Sequence, residues 1–349
     1  MHTLSVFFEE LLRNIQPPED RLKAAQEVPN EVRDFLRALE DYKTTDPHSR
    51  LIGSYSRHTA IGDIKDVDIV VFVDHDEVDS PRTVIRELKR ALDAFPNYLG
   101  SFGSVEVLTQ RRSVHVYIED RDFHLDVVPA LIKNGIEYPL LVPDKLQETW
   151  IESHPIGFIE YLTDLNADHG EKPRPLVKLL KFFRDCQMVN RRPKSYLLEA
   201  LVVNLVEKGQ LDTDNSLSMV FRDLLDAIYL RFTPALEKGG GAVPFVPDPM
   251  LNHNLSKTWE RSHFETFMRR VDEGRRLADR ALAAGDISEA VELWQRVFDD
   301  EYFPSDVQDS LKLAQRLTPG LAFVTGAGKV RADKDERSTP SIPTKYYGW

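Results

Sequence analysis

The chain has 349 residues, 42% of them hydrophobic, which suffices for two domains and a sizeable core. Its formal net charge of −12 disfavours a long nucleic acid as the main ligand, because neutralising a phosphate backbone needs a basic face. No apolar run reaches the roughly 18 residues of a membrane-spanning helix, and the single cysteine, Cys186, excludes an intrachain disulfide or a cysteine metal cluster.

The N-terminal stretch "MHTLSVFFEELLRNIQ" reads as an amphipathic helix and not as a signal peptide, so a cytoplasmic location is expected. Residues 1–45 are mostly helical in pattern, broken at Pro17 and Pro18. "DIVVFV" (68–73) is a β-branched run of the kind found in buried strands. Residues 80–95 place Val84, Ile85, Leu88, Ala91, Leu92 and Phe95 at helical spacing behind Ser80 and Pro81. "SVEVLTQRRSVHVYIEDRDFHLDVVPALI" (104–132) then reads as successive strands with a charged turn from Glu119 to Asp122.

From about residue 145 the pattern turns helical. "PLVKLLKFFRDCQMV" (175–189) and "SYLLEALVVNLVEKG" (195–209) are strong helices, and a Gly/Pro-rich loop over 237–250 precedes further helical sequence. The tail after residue 324 is polar and is expected to be disordered. These signals predict an α+β protein: a helical segment over 1–45 that packs with the helical lobe, a mixed-sheet core over 46–150, a helical lobe over 151–320, and a flexible tail over 321–349.

The chemistry concentrates in "GSYSRHTAIGDIKDVDIVVFV" (53–73). Residues i and i+2 of a strand share a face, so Asp66 and Asp68 stand about 6–7 Å apart on one side. Lys65 is adjacent, and a solvated or Lys-answered pair is the bland reading. Asp126 alters that balance. In "FHLDVVPAL" (123–131), Phe123, Leu125 and Val127 alternate inward, leaving Asp126 as a lone carboxylate in an apolar strand, where an unpaired charge is costly. If the two strands are neighbours, three carboxylates converge. Hard cations such as Mg²⁺ take oxygen ligands and share their shell with substrate phosphates. Three aspartates can hold two such ions about 3.5–4 Å apart, the arrangement for in-line displacement at phosphorus. Asp126 is then the candidate activator of the attacking hydroxyl. Gly53 lets the backbone approach an anion, and Ser54 offers a hydroxyl and an N–H to phosphate oxygens.

This Gly-Ser…Asp-x-Asp pattern, with a later strand aspartate, resembles the polymerase-β-like nucleotidyltransferases. More narrowly, "RPLVKLLKFFRDCQMVNRRPKSYLLEALVV" and "FVPDPMLNHNL" are similar to the helical half of the cGAS/DncV-like nucleotidyltransferases (CD-NTases), over roughly residues 45–315. The resemblance implies a polymerase-β-like core joined to a helical lobe, with NTP substrates and two Mg²⁺ ions (or Mn²⁺) on Asp66, Asp68 and Asp126. It also implies triphosphate contacts from Gly53, Ser54, Lys181 and Ser195, base stacking by Tyr196 and base reading by Asn166. The residues themselves leave other roles open: Lys178 and Lys181 as a solvated stripe, Ser195 as an N-cap, and Tyr196 as packing. The implied activity is synthesis of a cyclic di- or trinucleotide second messenger with release of pyrophosphate, in bacterial anti-phage (CBASS) signalling. An accessory protein acting on the C-terminal tail, whose end "TKYYGW" suits recognition, is a further implied partner.

Two departures qualify the likeness. His58 stands where many relatives have a small residue. One cysteine cannot supply a zinc insertion like that of cGAS, so no double-stranded DNA sensor is expected. The remaining histidines, His124 included, lack metal-ligand spacing and are taken as structural or surface residues. Two rivals stand beside this reading: a nucleotidyltransferase of another branch that modifies tRNA ends, proteins or small molecules, and a non-enzymatic module that keeps the fold.

Overall fold

The computed structural model describes residues 2–64, 66–99, 104–237, 241, 243–299 and 301–305, with three two-residue strand pieces beyond them. The expected tail behaviour lies outside the described residues for most of 306–349.

Two helices open the chain, α1 (Ser5–Asn14) and α2 (Glu19–Ala38). Strand β1 (Thr44–Ile52) runs into a single helical turn, α3 (Gly53–Ser56), and then β2 (Asp66–Val73). Helices α4 (Pro81–Leu92) and α5 (Phe95–Leu99) lead to β3 (Val105–Thr109), β4 (Val114–Ile118) and β5 (Phe123–Ala130). The five strands form one mixed sheet in the order β1-β2-β5-β4-β3, in which only β2 and β5 are parallel. The non-sequential neighbours matter, because they bring residue 68 beside residue 126.

The sheet is covered on both faces. Val67, Ile69, Val71, Leu125 and Val127 pack with α2 and α4 through Val28, Val32, Val84 and Leu88. The opposite pleat sends Val70 and Phe72 to a smaller cluster with Ile52, Leu140 and Ile156. A period of two thus gives β2 an apolar back and, at its start, an acidic front.

A hairpin, β6 (Leu140–Asp144) and β7 (Thr149–Ser153), follows, so the helical region begins later than the sequence suggested. Helices α6 (Pro155–Asp168), α7 (Pro173–Gln187), α8 (Ser195–Glu207), α9 (Leu217–Glu237), α10 (Arg261–Ala283) and α11 (Ile287–Val297) build the second core. Phe8 of α1 is fully buried there, with its ring edge-on to Trp294 at 4.8 Å. Burying one such side chain contributes about 1.5–3 kcal/mol.

The N-terminal segment does not act as one unit, which corrects the expectation for residues 1–45. Phe7, Phe8 and Leu11 of α1 join the helical core, whereas Ala25, Val28, Val32 and Phe35 of α2 join the sheet core. Pro17 and Pro18 mark the passage between them, where no helix can continue.

Candidate active site

Parallel pairing sets Asp68 directly beside Asp126 and Asp66 beside His124. Neighbouring strands lie about 4.8 Å apart, and matched residues point to the same side. All three acids therefore stand on one face, at the end of β2 next to the turn that follows β1. The charges are felt. Burial first, then the neighbouring Asp126 and Asp66, together push the Asp68 carboxyl up to about 6, against the opposing effect of Arg57.

Gly53 shows why the turn must be glycine. Its φ is +79°, and a β-carbon there would lie 2.1 Å from Asp68 Oδ2. The backbone thus passes directly over the central carboxylate. Ser54 follows in the same turn, with its carbonyl bonded to the Thr59 N–H at 3.0 Å. Among the described residues its hydroxyl has no protein partner.

Asp126 already has one neighbour. Its Oδ1 lies 2.8 Å from His115 Nδ1 on β4, and His115 Nε2 lies 3.0 Å from His124 Nδ1. An acceptor-only carboxylate fixes His115 with its proton on Nδ1, which leaves Nε2 to accept from His124. The His124 ring in turn stacks on Tyr117 at 4.4 Å. His115 and His124 are therefore site residues, which corrects their assignment as merely structural. With Asp126 turned to His115, no three His, Cys, Asp or Glu side chains among the described residues are already grouped as a metal site. The donor type still fits a hard cation: three oxygen ligands, of which Asp66 and Asp68 have no counter-charge bonded to them among the described residues.

The residues expected from the helical half are placed differently. Lys181 on α7 is 2% exposed. Its ammonium donates to Glu199 Oε1 at 2.6 Å, to the Thr59 carbonyl at 2.9 Å and to Thr59 Oγ1 at 3.2 Å. Three donors have three protein partners, so in this state it braces the loop from below and does not face a phosphate. Asn166 is also buried. Its Oδ1 accepts from the Arg174 N–H at 3.0 Å and its amide donates to Glu171, which fastens the turn between α6 and α7 in place of the expected base reading.

Ser195 is the first residue of α8 and makes no capping bond; Arg184 Nη1 donates to its Oγ at 3.0 Å. Tyr196 donates to Asp248 Oδ2 at 2.8 Å, meets Phe158 edge-on, and has the Arg57 guanidinium 5.7 Å from its ring centroid. Packing and hydrogen bonding thus hold Tyr196 in place of the expected base stack.

Sequence reasoning missed Arg57, Thr59 and Glu199. Arg57 donates to Glu199 through Nε at 2.6 Å and Nη2 at 3.3 Å, and Thr59 Oγ1 lies 3.1 Å from the same carboxylate. A usable signal was present: Glu199 is a lone acid in "SYLLEALVVNLV", the helical counterpart of Asp126 in its strand. Lys178, one turn before Lys181, has no carboxylate bonded to it among the described residues. Burial lowers its pKa, and Lys181 and Arg174 lower it further. Burial likewise lowers that of His58, with Arg174 and Lys178 adding to the effect, so positive charge on α7 faces the loop. His58 itself takes a left-handed conformation, φ 58°, at the turn's exit.

Comparison with known proteins agrees with this geometry. Residues 1–166 match the model of the Second Messenger Oligonucleotide or Dinucleotide Synthetase domain, a span that contains all three aspartates. Over 352 aligned residues the chain is 29% identical to the cyclic AMP-AMP-AMP synthase of Acinetobacter sp. (strain ATCC 27244 / 9458), covering 98% of this chain and 96% of that one. The chain thus resembles the cyclic-oligonucleotide synthases over nearly its whole length. Solved CD-NTases share its fold. Escherichia coli MS115-1 CdnC with ATP superposes with a TM-score of 0.66 at 18% identity, covering 87% of this chain and 98% of that one. Bradyrhizobium diazoefficiens CdnG with GTP gives 0.66 at 16%, covering 90% and 100%. The same E. coli protein has been solved in a HORMA-deltaN complex. Among the described residues no helix is long and apolar enough to cross a membrane.

Proposed function

We propose that this protein is a CD-NTase that joins NTPs into a cyclic di- or trinucleotide with release of pyrophosphate, as part of CBASS-type signalling in the cytoplasm. The single observation that carries the reading is the placement of Asp68 beside Asp126, on one face, under the Gly53 backbone. A trinucleotide containing adenylate is favoured, because the Acinetobacter relative makes cyclic AMP-AMP-AMP and that of Enterobacter hormaechei subsp. hoffmannii (strain UCI 50), 22% identical over 358 residues, makes cyclic AMP-AMP-GMP.

Asp66, Asp68 and Asp126 would hold Mg²⁺ or Mn²⁺, and two such ions supply charge neutralisation on the triphosphate and activation of the attacking hydroxyl. The chain's own residues do the rest. Ser54 donates its hydroxyl to the phosphates. Lys178 and Arg174 contribute the positive field from α7, a role expected of Lys181, which lies beneath the loop. Asp126 stands where it can accept the proton of the incoming hydroxyl, with His115 fixing its orientation. Positioning and charge neutralisation are the main requirements of such a transfer.

The test is incubation of the purified protein with each labelled NTP and with mixtures, in Mg²⁺ or Mn²⁺, followed by product identification. A cyclic oligonucleotide is expected. Turnover that appears only with an added RNA or protein acceptor would move the chain to another nucleotidyltransferase branch. An accessory protein acting on the C-terminal tail is part of the same proposal. Mass spectrometry of the protein from cells carrying its neighbouring genes should show a C-terminal adduct.

A further inference from the structure

Resting on the reading above, we propose that Glu199 is a positioning residue for the donor nucleotide, which sets the shape of the Gly53–Thr59 loop from the helical side. Its carboxylate is fully buried and reaches that loop in two ways. It binds Arg57 and Thr59 directly, and it binds Lys181, which itself donates to the Thr59 carbonyl and hydroxyl. Thr59 in turn bonds back to the Ser54 carbonyl through its N–H at 3.0 Å. A chain of three contacts, Glu199 to Lys181, Lys181 to Thr59 and Thr59 to Ser54, thus runs from the interior of α8 to the turn that follows Gly53.

Core packing alone does not explain this group. Glu199 sits among Leu197, Leu198, Ala200 and Leu201, where an apolar residue would cost nothing to bury. Desolvating a carboxylate, an ammonium and a guanidinium costs several kcal/mol per ion before their attraction is counted. What the arrangement supplies is geometry. The planar Arg57 guanidinium grips the carboxylate at two nitrogens, and its other side lies against Phe158 and Tyr196 at 5.3 and 5.7 Å. Rotation of the loop would have to break charge-assisted hydrogen bonds inside a dry core. Glu199 also keeps the Lys181 ammonium out of the cleft, so the phosphates meet the loop and α7 in one fixed arrangement.

The test compares wild type with Glu199→Gln and Arg57→Lys, the second keeping the charge but losing the two-pronged grip. KM and kcat for ATP with Mg²⁺ are measured by pyrophosphate release, ATP affinity by calorimetry, and folding by thermal melting without nucleotide. We expect KM and Kd to rise about tenfold or more while kcat stays within about threefold, the mark of lost substrate positioning. Unchanged or tighter ATP binding in a variant that melts cooperatively would overturn the inference. If Glu199→Gln does not fold, Arg57→Lys decides. A wild-type protein that neither binds nor turns over ATP or the other NTPs would overturn both this inference and the proposed function. Active wild type with variants unchanged in KM would overturn the inference alone.

Discussion

Two groups of charged residues border the Gly53–Thr59 loop, and they are built on opposite rules. Asp66, Asp68 and Asp126 crowd like charges on one face with no cation bonded to them among the described residues, except for His115 beside Asp126. Arg57, Lys181 and Glu199 enclose opposite charges in a dry interior, with each carboxylate oxygen bonded. Burial would by itself raise the Glu199 pKa, but Lys181 and Arg57 outweigh it and hold the group ionised. Charge that a fold leaves unanswered belongs to what binds there. Charge that it answers internally belongs to the architecture.

That contrast can be broken from both sides. The largest effect should follow from Asp66→Asn combined with Asp68→Asn, which should lower pyrophosphate release by on the order of 10³-fold while circular dichroism stays native. Next, Lys181→Met removes one partner of the enclosed group and should destabilise the protein by about 3–5 kcal/mol, read as a lower denaturant midpoint.

Asp68→Asn alone should act in the other direction on folding. With a chelator present, Asp68 titrates near 6 in the folded chain, above its unfolded value, so its ionisation opposes folding at neutral pH. Wild-type stability should rise as pH falls through 6, and the Asn variant should gain roughly 1–3 kcal/mol at pH 8 and lose that pH dependence. The smallest effect should come from Tyr196→Phe, which deletes the bond to Asp248 and should cost about 1 kcal/mol with little change in base preference.

The strand aspartates were legible in the sequence because a period of two assigns faces without a structure, and a lone acid in an apolar run needs an explanation. Alternation around Asp126 placed it opposite Leu125 and Val127, as found. The helical residues were less legible, since a helix stripe says which side is polar but not what it meets. Lys178 and Lys181 carry the same sequence signal, yet one faces the loop and the other is enclosed with Glu199. Only the packing of α8 against α7 separates them. Strand β1 was hidden for a local reason: its ladder with β2 is interrupted between Thr44 and Ser49, where Pro47 can donate no hydrogen bond. Division of the first 45 residues between two cores was also out of reach, because amphipathic periodicity does not name the surface a helix will cover.

The route of the chain through Pro17 and Pro18 has a mechanical result. The backbone passes between the helical and sheet bodies once after α1 and again between β7 and α6. Two covalent crossings therefore join the two bodies. The bonds from Glu199 on α8 to Arg57 and Thr59 add a third, non-covalent attachment between the same two bodies.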